Sequence, residues 1–361
     1  MAQDAQHWGG ASGVGSWPGT DPLEAARTVL DLLPDLPFLP ELPARGPHAD
    51  VVGRSTALLA GTPVDLQPSG WRLVARSSRD GRLARDLLAR DLDALEEVAD
   101  AVRPPALKVQ CAGPWTLAAT LELPRGERAL ADHGAVDDLA HSLAEGLRDH
   151  LADLRRRLPG TRLVLQLDEP GLPAVLAAGV RTASGVATLR APDATRAVEV
   201  LRTVLDAGRD AGAQTVVHCC AASPPVELLR RAGASAVSVD ATLLTPRDDD
   251  AVGEAVEAGT GLLLGVVPST GVPADGERAS GGRTSGGALS DLPATMVPAT
   301  ALWRRLGLSA EVLSTSVVVT PTCGLAGATP AGARRALEAC VEGARRLPDL
   351  VSGGSGEERS R

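Results

Sequence analysis

The sequence predicts a (β/α)8 barrel, the TIM-barrel fold class, and three observations lead to it. Short apolar runs alternate with longer amphipathic segments over roughly 340 residues, which is the strand and helix count of such a barrel. The runs are mostly apolar throughout, as expected for parallel strands that are buried on both faces. No G-x-G-x-x-G motif follows the first run, which disfavours the rival architecture, a doubly wound open sheet.

The predicted strands begin with a weak candidate at 12–18, and seven stronger runs follow it. These runs are 36–42, 106–111, 162–170, 215–220, 235–240, 261–267 and 316–324. The predicted helices lie at 21–33, 82–101, 134–158, 191–211, 224–232, 247–259, 299–313 and 330–345. Two of the helices begin with a capping residue followed by proline, Asp21-Pro22 and Thr329-Pro330, which is typical of a helix N-terminus.

The predicted domain organisation is a single barrel over residues 1–350. A Gly/Ser-rich segment at 273–293 interrupts the alternation after the seventh strand. We expect it to be an insertion, either a lid over the site or a disordered loop. The final segment, 351–361, is also rich in Gly, Ser and charged residues, and we expect a disordered tail.

Composition excludes several classes of function. The net charge is −9, and no basic stripe with interleaved aromatic residues is present, so nucleic acid is not an expected partner. No apolar run approaches the ~20 residues of a membrane span. The N-terminus lacks the basic region and following apolar run of a signal peptide, so we expect none. The 5 cysteines are thinly spread, so we expect reduced thiols and a cytoplasmic location instead of a disulfide framework.

Polar residues recur where the predicted strands end. Active sites of barrels form at the C-terminal ends of the strands, so side chains at these positions are expected to converge. In chain order the candidates are Glu41, Asp168, Glu169, His218, Cys220, Asp240 and Cys323.

The stretch QTVVHCCAAS, residues 214–223, suggests a metal site. His218 and Cys220 are two residues apart on a strand, so they share a face, with Cα atoms ~6.6 Å apart, and one tetrahedral zinc can bridge them. Cys219 then faces the helix layer as a small buried hydrophobe. Cys323 is the third candidate ligand. The alternative for His218 is a buried histidine bonded to backbone, and the alternative for Cys323 is a buried thiol at a strand end.

The adjacent acids Asp168 and Glu169 end the fourth predicted strand. At a barrel mouth, such a pair is suited to capturing a substrate ammonium or to acid–base catalysis. The alternative is that one of the two carboxylates caps a helix N-terminus. The sequence alone leaves both interpretations open.

Several fragments together resemble the C-terminal catalytic barrel of cobalamin-independent methionine synthase, a family whose superfamily also contains uroporphyrinogen decarboxylase. The fragments are VGSWP (14–18), CAGPWTL (111–117), QLDEPGL (166–172), HCC (218–220), VSVD (237–240) and TPTCGL (320–325). Each is short, but their order and their placement at strand ends make the resemblance fairly specific. They cover nearly the whole chain.

The resemblance implies a zinc-dependent methyltransferase that converts homocysteine to methionine. The implied zinc ligands are His218, Cys220, Cys323 and, least firmly, Asp240, because the family has the longer Glu at that position. The implied methyl donor is a methyl-folate or a methylcorrinoid, free or carried by a partner protein.

The resemblance also implies the residues that would bind homocysteine. Its carboxylate would meet Val14, Gly15 and Ser16, and its ammonium would meet Asp168, with Glu41 as a second acid. Asp168 is therefore the expected catalytic-site acid.

Two departures from the family pattern keep other functions open. The family's catalytic histidine would fall near Pro268, where no histidine occurs, and the chain has no room for the family's second barrel. The alternatives are zinc-dependent alkyl transfer to another thiol and a non-catalytic zinc-binding barrel. A porphyrinogen decarboxylase is disfavoured, because the site is rich in thiols where that chemistry requires arginines.

Overall fold

The computed structural model describes residues 8–270 and 291–357. Its strands are β1 (Val64–Gln67), β2 (Gly70–Leu73), β3 (Ala106–Ala112), β4 (Arg162–Asp168), β5 (Gln214–Cys219), β6 (Ala236–Asp240), β7 (Gly261–Val267) and β8 (Val317–Pro321). Strands β1 and β2 form an antiparallel hairpin, and β3 to β8 form one parallel sheet in sequence order. A doubly wound sheet reverses its strand order, so the rival architecture is excluded.

Helices connect and cover these strands. They are α1 (Pro22–Leu32), α2 (Val51–Thr56), α3 (Arg79–Val102), α4 (Pro114–Thr120), α5 (His133–Arg157), α6 (Leu172–Leu176), α7 (Ala194–Asp210), α8 (Val226–Ala232), α9 (Asp249–Glu257), α10 (Leu292–Thr295), α11 (Val297–Leu306), α12 (Ala310–Ser316) and α13 (Pro330–Glu357). Both predicted caps are present: Asp21 accepts from Leu23 N, and Thr329 accepts from Gly332 N. Across the described ranges, no helix combines the length and apolar character that a bilayer crossing requires.

The last six predicted strands are confirmed close to their predicted positions. The predicted helix 299–313 is divided into α11 and α12, because Gly307 adopts a left-handed conformation (φ 68°) that ends α11. The hairpin β1–β2 and the short helices α2, α4, α6 and α10 are additions to the predicted elements.

The first two predicted strands, 12–18 and 36–42, do not form strands of the sheet. Isolated bridges connect them instead: Trp8 and Ala11 pair with the β8 region, Phe38 pairs with Lys108 of β3, and Ser16 pairs with Glu41. Glycines weaken the first segment, and the second carries a proline at every third position, which removes ladder donors. The structure thus confirms an α/β protein whose six-stranded parallel sheet curls like half a barrel, and it does not confirm the eight-stranded barrel.

The concave side of this sheet has an apolar floor and a polar upper part. The floor is one small cluster, made of Trp8, Leu36, Ala106, Val164, Val216, Ala236, Leu263 and Val318. Side chains alternate along a strand, so the residues two and four positions further on face the same side. Most of these positions are polar, except on β7, where they are Gly265 and Val267. The buried polar ones include Lys108, Gln110, Gln166, Asp168, His218, Ser238 and Thr320. The outward residues pack against the helices in the main core.

The two predicted irregular segments lie partly or mostly outside the described residues. Of the predicted insertion 273–293, the structure describes only the last residues, where Asp291 caps α10. Helix α13 extends to Glu357, past the predicted start of the tail at 351, so the helix ends later than the composition suggested. The single-barrel domain over 1–350 stays a prediction.

Candidate metal and ligand site

A cavity of about 290 Å³ lies at the C-terminal end of the sheet. Its lining residues are Val14, Gly15, Ser16, Glu41, Pro43, Asp50, Val51, Asp168, Pro170, His218, Cys220, Cys323 and Gly324. Cavities of about 380 and 720 Å³ lie elsewhere, but neither is lined by a cysteine or histidine. Of the three, the cavity of about 290 Å³ therefore has the reactive side chains, and it brings together every predicted site residue except Asp240 and Glu169.

Three potential metal ligands meet in this cavity. The ligand atoms of His218, Cys220 and Cys323 all lie within 4.8 Å of one another. The two sulfurs are 3.7 Å apart, far longer than the ~2.05 Å of a disulfide. Two sulfurs bound at ~2.3 Å to one tetrahedral zinc would be ~3.8 Å apart, so their spacing fits a shared metal.

His218 is oriented as a metal ligand would be. Its Nδ1 lies 2.8 Å from Ser238 Oγ, on the neighbouring strand, and its ring is buried. Its Nε2 is buried without a hydrogen-bond partner among the described residues. Metal-binding histidines typically donate a hydrogen bond from the N–H of the ring nitrogen that does not bind the metal, and here that arrangement leaves Nε2 for a metal. The alternative, a histidine bonded to backbone, is not what this ring does.

The two cavity thiols are hydrogen-bonded to each other, and this contact shifts their pKa values in opposite directions. The hydrogen bond between them lowers the pKa of Cys323 to about 4, with help from His218, and raises the pKa of Cys220. A thiolate is the form that binds metal, and one is present here at neutral pH. By contrast, Cys219 is fully buried on the opposite face, where burial raises its pKa to about 11. Strand alternation predicts this separation.

The expected fourth ligand, Asp240, is not part of this cluster. Its Oδ1 accepts hydrogen bonds from Thr242 N at 2.9 Å and from Thr242 Oγ1 at 2.6 Å. Its carboxylate therefore stabilises the turn after β6. Among the described residues the cluster has three ligand groups, and Asp240 as a fourth ligand stays a prediction.

Two acids line the same cavity as the thiols. Asp168 is buried, and its Oδ1 accepts from Gln166 Nε2 at 2.7 Å; burial raises its pKa. Burial also raises the pKa of Glu41 to about 7, although Arg54 opposes this shift from 4.0 Å. Glu41 Oε1 is buried without a hydrogen-bond partner in the described ranges. An unsatisfied carboxylate oxygen beside a second acid is suited to a cationic ligand.

Glu169 has a different role from its neighbour Asp168. It is fully buried, and its Oε1 accepts from Trp115 N at 2.9 Å. Its Oε2 accepts from the backbone N and the Oγ1 of Thr116, both at 2.7 Å. Helix α4 has Gly113 at its N-cap, which has no side chain to cap the helix, so the carboxylate of the residue that follows β4 does so. The capping alternative thus applies to Glu169, while Asp168 faces the cavity.

The loop at 14–16 closes the cavity beside the thiols. Among the described residues, the N–H groups of Gly15 and Ser16 donate to no protein acceptor. Ser16 O accepts from Leu325 N at 2.9 Å, and Ser16 Oγ accepts from Ala326 N at 3.3 Å. A side chain at Gly324 would place a Cβ 2.1 Å from Ser16 Oγ. The loop is therefore packed directly against the segment that carries Cys323.

Sequence reasoning missed part of the lining and all of the supporting polar side chains. Pro43, Asp50, Val51, Pro170 and Gly324 line the cavity without having been singled out. Lys108, Gln110 and Gln166 lie below it and bind backbone carbonyls. The signal for these three was available, because polar residues at every second position of a predicted buried strand indicate a polar interior.

Comparison with known proteins yields a likeness in structure only. No family model and no curated protein sequence matches the chain. A B12-independent methionine synthase from Shewanella sp. W3-18-1, solved in complex with selenomethionine, matches with a TM-score of 0.54 and 12% identity, over 95% of this chain and 99% of that chain. A GH5_18 protein from Streptomyces cattleya matches with a TM-score of 0.46 and 16% identity, over 94% of this chain and 80% of that chain. The lower score of the second match supports no conclusion.

The fold and the site define a class of protein without naming a family. The chain is an α/β protein with a singly wound parallel sheet of TIM-barrel type and a cluster of one histidine and two cysteines at the sheet's C-terminal end. It shares a distant relationship of fold with the Shewanella methionine synthase. At 12% identity, the likeness concerns the fold alone.

The different roles of the adjacent acids can be tested with one isosteric change at each. Glu169→Gln places an amide group against helix N–H donors, so we expect the free energy of unfolding to fall by about 1–3 kcal/mol. Asp168→Asn removes a buried charge and keeps the oxygen that Gln166 needs, so we expect a change within about 1 kcal/mol. Urea denaturation of both variants measures this. An equal loss in the two would contradict the assignment.

Proposed function

We propose that this protein is a zinc-dependent methyltransferase that transfers a methyl group to the thiol of homocysteine and forms methionine. The observation that carries the proposal is that potential metal ligands and groups suited to bind an amino acid lie in one cavity. A cluster of His218, Cys220 and Cys323 lies beside free backbone donors and two buried acids. The bridged N-terminal segments would then be the first two strands of a (β/α)8 barrel.

The donor set suits zinc in a catalytic site. Imidazole and thiolate are typical zinc ligands, and three protein ligands with an open fourth position distinguish catalytic from structural sites. When bound, zinc would keep an incoming thiol ionised at neutral pH, which makes its sulfur a nucleophile. The separate position of Asp240 is consistent with an open fourth position. Cys323 is exposed, so a ligand could reach the cluster from solvent.

The other lining residues would hold the two charged groups of an amino acid. The free N–H groups of Gly15 and Ser16 suit its carboxylate. Asp168 and the unsatisfied Oε1 of Glu41 suit its ammonium. With both groups held, the side-chain thiol would extend toward the cysteines, which lie in the same cavity. These contacts fix the orientation of the nucleophile before a methyl donor arrives.

The methyl donor that we favour is a methylcorrinoid carried by a partner protein. All 5 tryptophans and the single phenylalanine of the chain are buried, so the described residues offer no exposed indole or phenyl ring on which a pterin could stack. Within the described residues, His218 is the only histidine in the cavity lining, and Pro268 stands where the family's proton donor would be. A folate nitrogen needs a proton as it leaves, whereas a corrinoid does not. Methyl-folate remains the second donor to test.

The metal assignment is tested by removing one thiol at a time. Cys220→Ser and Cys323→Ser should each lose most of the bound zinc, because a serine hydroxyl is a poor zinc ligand at neutral pH. Cys219→Ser is the matched control, since its thiol lies on the opposite face, and it should retain one zinc per chain. The measurement is metal analysis by mass spectrometry after dialysis. Full zinc content in both of the first variants would rule out the proposed ligands.

The activity is tested with both donors in parallel. Zinc-loaded protein should form methionine from homocysteine with methylcobalamin, or with 5-methyltetrahydrofolate. Asp168→Asn should raise the KM for homocysteine about tenfold or more, since an amide cannot neutralise the ammonium. Asp240→Asn, the matched control outside the cavity, should leave KM unchanged. If methionine forms with neither of the two donors, the proposal is refuted.

A further inference from the structure

A buried lysine lies directly beneath the loop that closes the cavity. Lys108, on β3, is fully buried, and its Nζ donates to Val14 O at 2.7 Å. Gln166 Nε2, on β4, donates to the same carbonyl oxygen at 2.9 Å. Lys108 does not line the cavity. The Val14 carbonyl is therefore held from inside the sheet by two donors, one of them cationic.

These two contacts determine the direction of the next backbone N–H. In a trans peptide, the carbonyl of one residue and the N–H of the next point in opposite directions. With Val14 O directed down toward Lys108 and Gln166, the Gly15 N–H points away from them, on the cavity side of the loop. Gly15 itself packs on Gln110, where a Cβ would lie 2.8 Å from that side chain. The peptide has little room to rotate.

We propose that Lys108 is a positioning residue that makes the Val14–Gly15 peptide an anion-binding group for the carboxylate of the substrate. Its role rests on the proposed function and deepens it. The cation polarises the peptide through the Val14 carbonyl, so the Gly15 N–H becomes a stronger donor, as in a hydrogen-bonded chain. Lys108 thus acts on the carboxylate through one peptide, without contacting it.

The charges around Lys108 are consistent with a cation at this position. Burial lowers its pKa to about 8, while Asp168 and Glu41 act in the opposite direction, so the ammonium form predominates at pH 7. Its Nζ also lies 5.5 Å from the centre of the Phe38 ring. An apolar side chain at this position would remove the counter-charge of the two acids and would leave Gln166 as the other donor to the Val14 carbonyl.

The test measures carboxylate recognition separately from folding and from methyl transfer. Zinc-loaded wild-type and Lys108→Met proteins are titrated calorimetrically with three thiols: homocysteine, 4-mercaptobutanoate, which lacks the ammonium, and 3-mercaptopropylamine, which lacks the carboxylate. We expect Lys108→Met to weaken the binding of the two carboxylate-containing thiols about tenfold. The affinity for 3-mercaptopropylamine should stay within about twofold of the wild-type value. Thr320→Val, a buried change on the same face of the sheet, is the control and should alter none of the three.

A second variant covers the case in which Lys108→Met does not fold. Gln166→Met removes the other donor to Val14 O, and it should weaken 4-mercaptobutanoate about tenfold. If a folded Lys108→Met protein binds each of the three thiols with the affinity of wild type, this inference is overturned and the proposed function is not. An equal weakening of all three would have the same consequence. Wild-type protein that binds none of the thiols would overturn the proposed function and this inference with it.

Discussion

A polar side chain buried inside a sheet must find a hydrogen-bond partner, and this requirement organises the whole upper half of the molecule. Lys108 and Gln166 satisfy it by binding the Val14 carbonyl, and Gln110 does so by binding the Leu39 carbonyl. The acceptors belong to the two N-terminal segments that glycine and proline keep from forming full ladders. Side chains from the sheet thus replace the missing ladder bonds and hold these segments in place.

The same polar interior sets the electrostatic character of the cavity. Arg54 is paired with Asp91 below the cavity, so it only partly offsets Glu41. On the opposite side, Lys108 balances the two cavity acids from beneath. The result is a cavity lined by two acids, by the loop that carries the Gly15 and Ser16 N–H groups, and by two thiols. Such an arrangement is complementary to a zwitterion that carries a soft nucleophile.

The sequence predicted those elements whose signals are local. Buried strands and amphipathic helices from β3 onward follow from periodicity, and the separation of Cys219 from His218 and Cys220 follows from strand alternation. Convergence of distant residues such as Cys323 followed from placement at strand ends. These inferences needed no knowledge of side-chain contacts.

Other features depend on contacts that a sequence does not encode locally. Whether Asp168 or Glu169 caps a helix depends on which of them meets the uncapped N-terminus of α4, and that helix belongs to a different part of the chain. Asp240 turns to its own Thr242 because a nearby hydroxyl and N–H are available. The N-terminal segments were predicted as strands from their place in the alternation, whereas their proline and glycine content decided the outcome.

The central claim is that His218, Cys220 and Cys323 hold zinc with a position open to a substrate thiol. X-ray absorption spectroscopy at the zinc edge tests it most directly, with and without L-selenohomocysteine. The account predicts two sulfur neighbours and one imidazole in the protein alone, and a new selenium neighbour when the selenol is added. A shell of nitrogen and oxygen only, or a spectrum that the selenol does not change, would contradict it.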